Sequence, residues 1–244
     1  MPKQDARREQ PQGLEVVSGP DVAGRAFKHY DLILAAMCVI VVCSNIIGAG
    51  KVMTLWGFSF GAGILFFPLS YVLGDVLTEV YGYRRARRVI LAATASALFA
   101  AVMAAFITAM PPAPAWDTDL GGVSRQEAFV INFGQAPRIV MASLTAIFLG
   151  EMANAQVMAR MKDSFRTGPL WQRTIGSTVV GQGVDTLIFY PLAFAGVWSI
   201  SLIVTVMVTN YVLKVLWEAL LTPVTYRAVG LLKKSEGVEI YDAP

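Results

Sequence analysis

Ionisable side chains stand inside stretches of sequence that are otherwise apolar. Asp75 and Glu79 follow the run GFSFGAGILFFPLSYVLG, Glu151 lies in an apolar stretch with Asn154 and Gln156, Asp185 lies in another with Gln182, and Lys214 and Glu218 share a third with Asn210. Placing such groups at membrane depth is costly, so each is by default a candidate for function. Four-residue spacing sets Asp75 with Glu79, and Lys214 with Glu218, on common helix faces. The embedded carboxylates outnumber the one embedded lysine. They cannot all be charged and unpaired in a low dielectric, so they must be protonated, paired with a base, or turned toward water or a ligand rich in donors. Glu79 and Glu218 lie close to the inner surface, where Arg84, Arg85, Arg88 or the carboxy-terminal bases can pair with them, which is a structural or coupling role. Asp75, Glu151 and Asp185 point to function instead, because uncharged Asn or Gln would serve helix packing at lower cost.

The elements that must position these groups follow from composition. The 244 residues are 55% hydrophobic and 15% charged, with a mean hydropathy of +0.56, an apolar excess over soluble domains. Each crossing of a bilayer needs roughly 20 apolar residues in a helix that closes its own backbone hydrogen bonds. The reading is an all-α polytopic membrane protein with six transmembrane helices, over 31–49, 57–81, 89–110, 137–158, 174–197 and 199–222, the last stopped by Pro223. Lysine and arginine gather in the amino-terminal segment, at Arg84 to Arg88, in a basic loop from Arg160 to Arg173, and at Arg227, Lys233 and Lys234; only Lys51, Arg125 and Arg138 fall on the opposite side. Positive residues stay inside, which puts both termini in the cytoplasm. Residues 1–28 read as a disordered cytoplasmic tail, 29–232 as the six-helix transport domain and 233–244 as a second cytoplasmic tail. PPAPAW, residues 111–116, ends the third helix, and the outer loop at 111–136 carries a short amphipathic stretch from Ser124 to Phe133 that caps the bundle or lies on the membrane surface. With the midpoint of each span as membrane centre, Asp185 is central, while Glu151 and Asp75 lie roughly 6 and 10 Å inward at about 1.5 Å per residue.

Several chemistries lack their residues. The single histidine, His29, falls outside the spans, so no His-dependent protease dyad or zinc site is available, and no Gly-rich phosphate loop is present. Cys38 and Cys43 are five apart in one span and face different ways. The expectation is no enzyme, no cofactor, no metal, and no nucleic-acid partner, since the basic residues mark topology.

The stretch FPLSYVLGDVLTEVYGYRRARRVI, residues 67–90, resembles the signature of the queuosine precursor transporter family, of vitamin uptake transporter type. The resemblance continues through FLGEMANAQVMARMK (148–162), WQRTIGSTVVGQGVDTLIFYPLAFAG (171–196) and LKVLWEALLTPVTY (213–226), and spans about 31–232. It implies a multi-pass importer in the cell inner membrane for 7-deazaguanine bases used in tRNA modification, 7-cyano-7-deazaguanine above all, with 7-aminomethyl-7-deazaguanine or queuine as further substrates. Such a base presents an N–H and an amino group that a carboxylate accepts together, and a carbonyl that wants a donor. The substrate-binding set expected from this is Asp75, Glu151 or Asp185 as the grip, Asn45, Asn154, Gln182 and Lys214 as polar partners, and Phe67, Tyr71, Tyr190 and Trp217 as stacking rings. Glu79, Glu218, Arg84 and Arg85 are kept for structure or coupling. The mechanism expected is alternating access, and it requires the acids to converge on one hollow large enough for a flat bicyclic guest. Two other readings stay open: a substrate-capture subunit that needs a partner ATPase, and a scaffold with no substrate. Pairing of two copies in the lipid bilayer also stays open.

Overall fold

The computed structural model describes residues 14–18, 25–47, 52–55, 58–61, 65–134, 137–164, 168–196 and 199–241. In chain order the helices are α1 (Tyr30–Ile46), α2 (Phe67–Val76), α3 (Tyr83–Ala109), α4 (Arg125–Phe133), α5 (Pro137–Ser164), α6 (Leu170–Phe194) and α7 (Ile200–Glu236), with a π-helical segment, Leu77–Tyr81, between α2 and α3. Short strands β1 (Glu15–Ser18), β2 (Val52–Leu55), β3 (Phe58–Gly61) and β4 (Val238–Tyr241) complete the set. The protein is an all-α membrane protein to which two small sheets are attached. β1 pairs in parallel with β4, and β2 with β3 as an antiparallel hairpin.

By length and apolarity, α3, α7 from Ile203 onward, and the stretch from Arg125 to Ser164 could each cross a membrane. The outward faces fit lipid: Phe99, Leu187 and Leu220 are each about two-thirds exposed, and apolar side chains of that size crowded on an outer surface call for an apolar solvent. The inner faces of α1, α3, α5 and the π segment meet in a core that includes Met37, Val80, Tyr81, Val89, Ala93 and Met158. Alanines let α3 come close in this core.

The second predicted span is not one helix. Its opening residues form strand β3, and helix starts only at Phe67, where Pro68 takes a first-turn position whose missing N–H costs nothing. The ten residues of α2 and five of the π segment rise about 22 Å at about 1.5 Å per residue, short of the roughly 30 Å hydrocarbon core. Gly82, at φ 84°, then breaks the path into α3, a conformation that only glycine adopts without strain. Pro223 does not stop the last helix: α7 runs through it to Glu236. Proline removes one ladder bond, the one to the Ala219 carbonyl, while the Thr222 and Thr225 hydroxyls add bonds to the neighbouring carbonyls of Glu218 and Leu221. The basic loop is also shorter than expected, because α5 and α6 extend past their apolar parts and carry Arg160, Lys162 and Arg173 in helix. The link expected at Trp198, and Lys51, lie outside the described residues. So do residues 1–13 and 19–24 of the amino-terminal segment, within which β1 is described.

The outer connection matches its amphipathic pattern. Ser124 caps α4 by accepting the Glu127 N–H at 3.1 Å, and Gln126 Nε2 donates to the Thr108 carbonyl at the end of α3. Trp116 meets Phe129 edge-on, with the Arg125 guanidinium 5.8 Å from the indole.

Candidate functional site

Polar residues from five helices meet at a narrow cavity. It is lined by Met37, Ile40, Val41 and Ser44 of α1, Ser70 and Tyr71 of α2, Ile147, Gly150 and Glu151 of α5, Gln182 and Asp185 of α6, and Lys214 of α7. Lys214 Nζ donates to Asp185 Oδ2, and Tyr71 donates its hydroxyl to Gln182 Oε1 at 3.3 Å. No cation among the described residues forms an ion pair with Glu151, which leaves its carboxylate as the acceptor in the wall.

Glycines bring these walls together. A Cβ on Gly150 would stand 2.9 Å from the Asp185 Cβ, one on Gly181 2.7 Å from the Asn154 Cβ, and one on Gly74 3.1 Å from Glu151 Oε2. Helices α5 and α6 therefore touch backbone to backbone where the site lies, as small residues allow in membranes. The same closeness makes the cavity small, about 30 Å³, room for roughly two waters by the measure of about 10–15 Å³ each. The expected hollow for a flat bicyclic guest is not open in this conformation, since ligand pockets run from roughly 300 Å³ upward.

Asp75, Glu218 and Asn154 stand behind the cavity and do not line it. Asp75 and Glu218 are both 0% exposed, and Asn154 Nδ2 reaches Asp75 Oδ1 at 3.4 Å. Despite their four-residue spacing, Asp75 and Glu79 go to separate partners, because the π segment between them adds a residue to the turn. Glu79 sits at the end of the bundle where β4, paired with β1, packs against the π segment. Its carboxylate takes Arg173 at 2.9 Å and Lys233 at 2.8 Å, with Lys162 3.6 Å away and donating to the Glu79 carbonyl at 2.6 Å. Glu239 of β4 binds Lys162 and Lys233 in turn, at 2.8 and 2.7 Å. One carboxy-terminal base, Lys233, thus pairs with Glu79 as expected. Arg84, Arg85 and Arg88 do not; Arg85 instead lies over Phe27 and Tyr30 and donates to the Arg25 carbonyl.

The remaining expected residues are elsewhere. Asn45 bonds its own helix at Val41 O and accepts from Ser143, on the wall of a larger, mainly apolar groove of about 290 Å³ between α1, α3, α4 and α5. Tyr190 packs in an aromatic group with Phe189 and Phe194. Trp217 is 41% exposed on the outer face of α7, Arg84 is exposed, and the Phe67 side chain lies outside the described residues. Sequence reasoning missed Ser44, Ser70 and Gly150 as cavity residues. An intramembrane serine or glycine carries no cost that marks it out, and α1 brings no charge to the cavity.

A family model described as "Putative vitamin uptake transporter" matches residues 61–228, from β3 to within α7, and so takes in every polar residue of the cavity except Ser44 of α1. The chain belongs to that family. This is a family of membrane transporters, and the apolar helices agree with a multi-pass membrane protein whose task is movement of a solute. Among curated proteins, a "Probable queuosine precursor transporter" of Bacillus subtilis is 26% identical over 196 residues, covering 80% of this chain and 82% of that one. A "Queuosine precursor transporter" of Escherichia coli is 28% identical over 142 residues, 58% of each. No solved structure matches.

Proposed function

We propose that this vitamin uptake transporter imports queuosine precursors, 7-deazaguanine bases with 7-cyano-7-deazaguanine foremost, across the cell inner membrane through six spans with both termini in the cytoplasm. The observation that carries the reading is the meeting of Glu151, Gln182, Asp185, Lys214 and Tyr71 on one cavity inside an apolar bundle. A carboxylate free of a base can take the paired N–H donors of the base's pyrimidine edge, an ammonium or amide can donate to its carbonyl, and a tyrosine ring supplies a stacking face. Glu151 is the grip, Lys214 and Gln182 answer the carbonyl, and Asp185 holds Lys214 in place. The two relatives' names favour the same substrate class.

The size of the cavity makes this conformation a closed one. Entry of the base requires α2 and α7 to move away from α5 and α6, which is the rocking of one helix group against another that alternating access demands. The site residues hang from both groups, so the ligand itself can bridge them.

The test is uptake of radiolabelled 7-cyano-7-deazaguanine by cells that neither make nor import it, supplied with this chain. Uptake is expected, with unlabelled 7-aminomethyl-7-deazaguanine, queuine and guanine as competitors to rank the substrate. Glu151→Gln combined with Asp185→Asn should abolish it at equal membrane abundance. Full uptake by the double variant removes the carboxylate grip, and no uptake by the wild type removes the substrate.

A further inference from the structure

The Asp75–Glu218 contact is buried chemistry that the cavity leaves unused. It lies where α2 packs against α7. Both side chains are fully buried, and neither lines the cavity. Among the described residues, Asp75 Oδ2 and both carboxyl oxygens of Glu218 meet no donor, and Asp75 Oδ1 has only the long bond from Asn154. Yet the two carboxyl groups are close neighbours across the packed α2–α7 face, placed to share a hydrogen bond if one of them carries a proton. The nearby cations are engaged elsewhere: Lys214 with Asp185, and Lys162, Arg173 and Lys233 with Glu79.

Carboxylate oxygens are acceptors only, so two carboxyl groups can bond one another only when a proton stands between them. Two bare carboxylates in contact without water would repel. A metal ion would need a larger ring of ligands, and no cluster of three or more suitable side chains occurs among the described residues. A proton needs just the two oxygens. We propose that Asp75 and Glu218 form a proton-binding site through which import of the base is coupled to entry of one proton. This rests on the substrate reading above and adds to it the driving force.

The geometry supplies the link. Glu218 is one helical turn along α7 from Lys214, and Asp75 one turn along α2 from Tyr71, both of which line the cavity. A proton in the pair clamps α2 to α7. Its loss sets like charges against each other across the same contact and unclamps the two helices, which frees them to move away from α5 and α6 and open the cavity. The other groups in electrostatic reach of the pair are Tyr71 of α2 itself and Glu151 of α5, and Glu151 in turn faces the Asp185–Lys214 pair of α6 and α7. Helix α1 turns Met37, Ile40, Val41 and Ser44 to the cavity. Glu79 of the π segment and Glu239 of β4 are held in their own ion pairs.

The full chain in sealed vesicles and labelled 7-cyano-7-deazaguanine test this directly. With the outside one pH unit more acidic, the wild type should accumulate the base about tenfold above the outside concentration, the equivalent of one proton per neutral base, and a protonophore should return it to equality. In a weakly buffered vesicle without an imposed gradient, downhill entry of the base should carry protons in, read by a pH dye; this needs no variant. Glu218→Gln should keep exchange of labelled for unlabelled base and lose accumulation. Base entry by the wild type with no proton movement and no response to the gradient overturns the coupling while the substrate reading stands. Gradient-driven accumulation by Glu218→Gln overturns it too. No entry or exchange of base by the wild type under any gradient fells the substrate reading, and the coupling with it.

Discussion

Glu79 accepts charge from Arg173, Lys233 and Lys162 while only 1% exposed, so it compensates more buried charge than any other residue described. Loss of its charge strips Arg173 of its ion pair and leaves Lys162 and Lys233 to share Glu239, and breaking a buried pair costs about 3–5 kcal/mol. Glu79→Gln should therefore lower the unfolding midpoint of the detergent-solubilised protein sharply, and an unchanged midpoint would show that water already reaches the cluster. At the cavity the expected pattern is different. Asp185→Asn alone strands Lys214, whereas Asp185→Asn with Lys214→Met removes both charges, so the double variant should be the more stable of the two in the same melting assay. Much of this chemistry is legible in the sequence, because charged and amide groups are rare in apolar stretches: Glu151, Gln182, Asp185 and Lys214 stand out by type alone and do share a cavity. Asn45 and Trp217 stand out equally and do not join it. Residue type gives depth along a helix, but the direction a side chain takes around the axis depends on neighbours the sequence does not name.

At the level of helices, contact between α5 and α6 rests on two positions without a side chain. A methyl group at Gly181 would meet Asn154 Cβ at 2.7 Å and the Gly150 carbonyl at 2.9 Å, and neither backbone nor Cβ can swing away as a long side chain could. Gly181→Ala should cost about 1–3 kcal/mol of stability from overpacking, and uptake of the base should fall further than the melting temperature suggests, since the cavity walls shift with the helices. Wild-type uptake in this variant would mean that α5 and α6 separate freely during transport. Helix existence followed from apolar runs, the proline cluster after Ala109 fixed the end of α3, and the amphipathic stretch from Ser124 to Phe133 matched α4. Pro223 misled because a soluble-protein rule was applied to a long helix flanked by threonines. Strand β3, Phe58–Gly61, was read as helix because, in a run that is apolar throughout, neither alternation nor a 3.6-residue period is visible.

Over the whole molecule, the apolar outer face and the charge distribution make one prediction about placement. In a chain with Cys38 and Cys43 replaced by Ala, a single cysteine at Arg125 should react with a membrane-impermeant reagent from the side opposite to one at Lys234; labelling of both from the same side would remove the six-span topology. Strands β1 and β4 and the helix ends beside them behave as one unit. Glu236, the last residue of α7, accepts from the backbone N–H groups of Lys28 and His29 at 2.9 and 3.0 Å and from the Tyr81 hydroxyl at 3.1 Å, just ahead of α1, whose first N–H groups lack partners within the helix. Beside it, β1 zips onto β4, burying Val17, Val238 and Ile240 together. A proteolytic cut at Gly237, between α7 and β4, should therefore release β1 together with the strand it severs, because each holds the other in place.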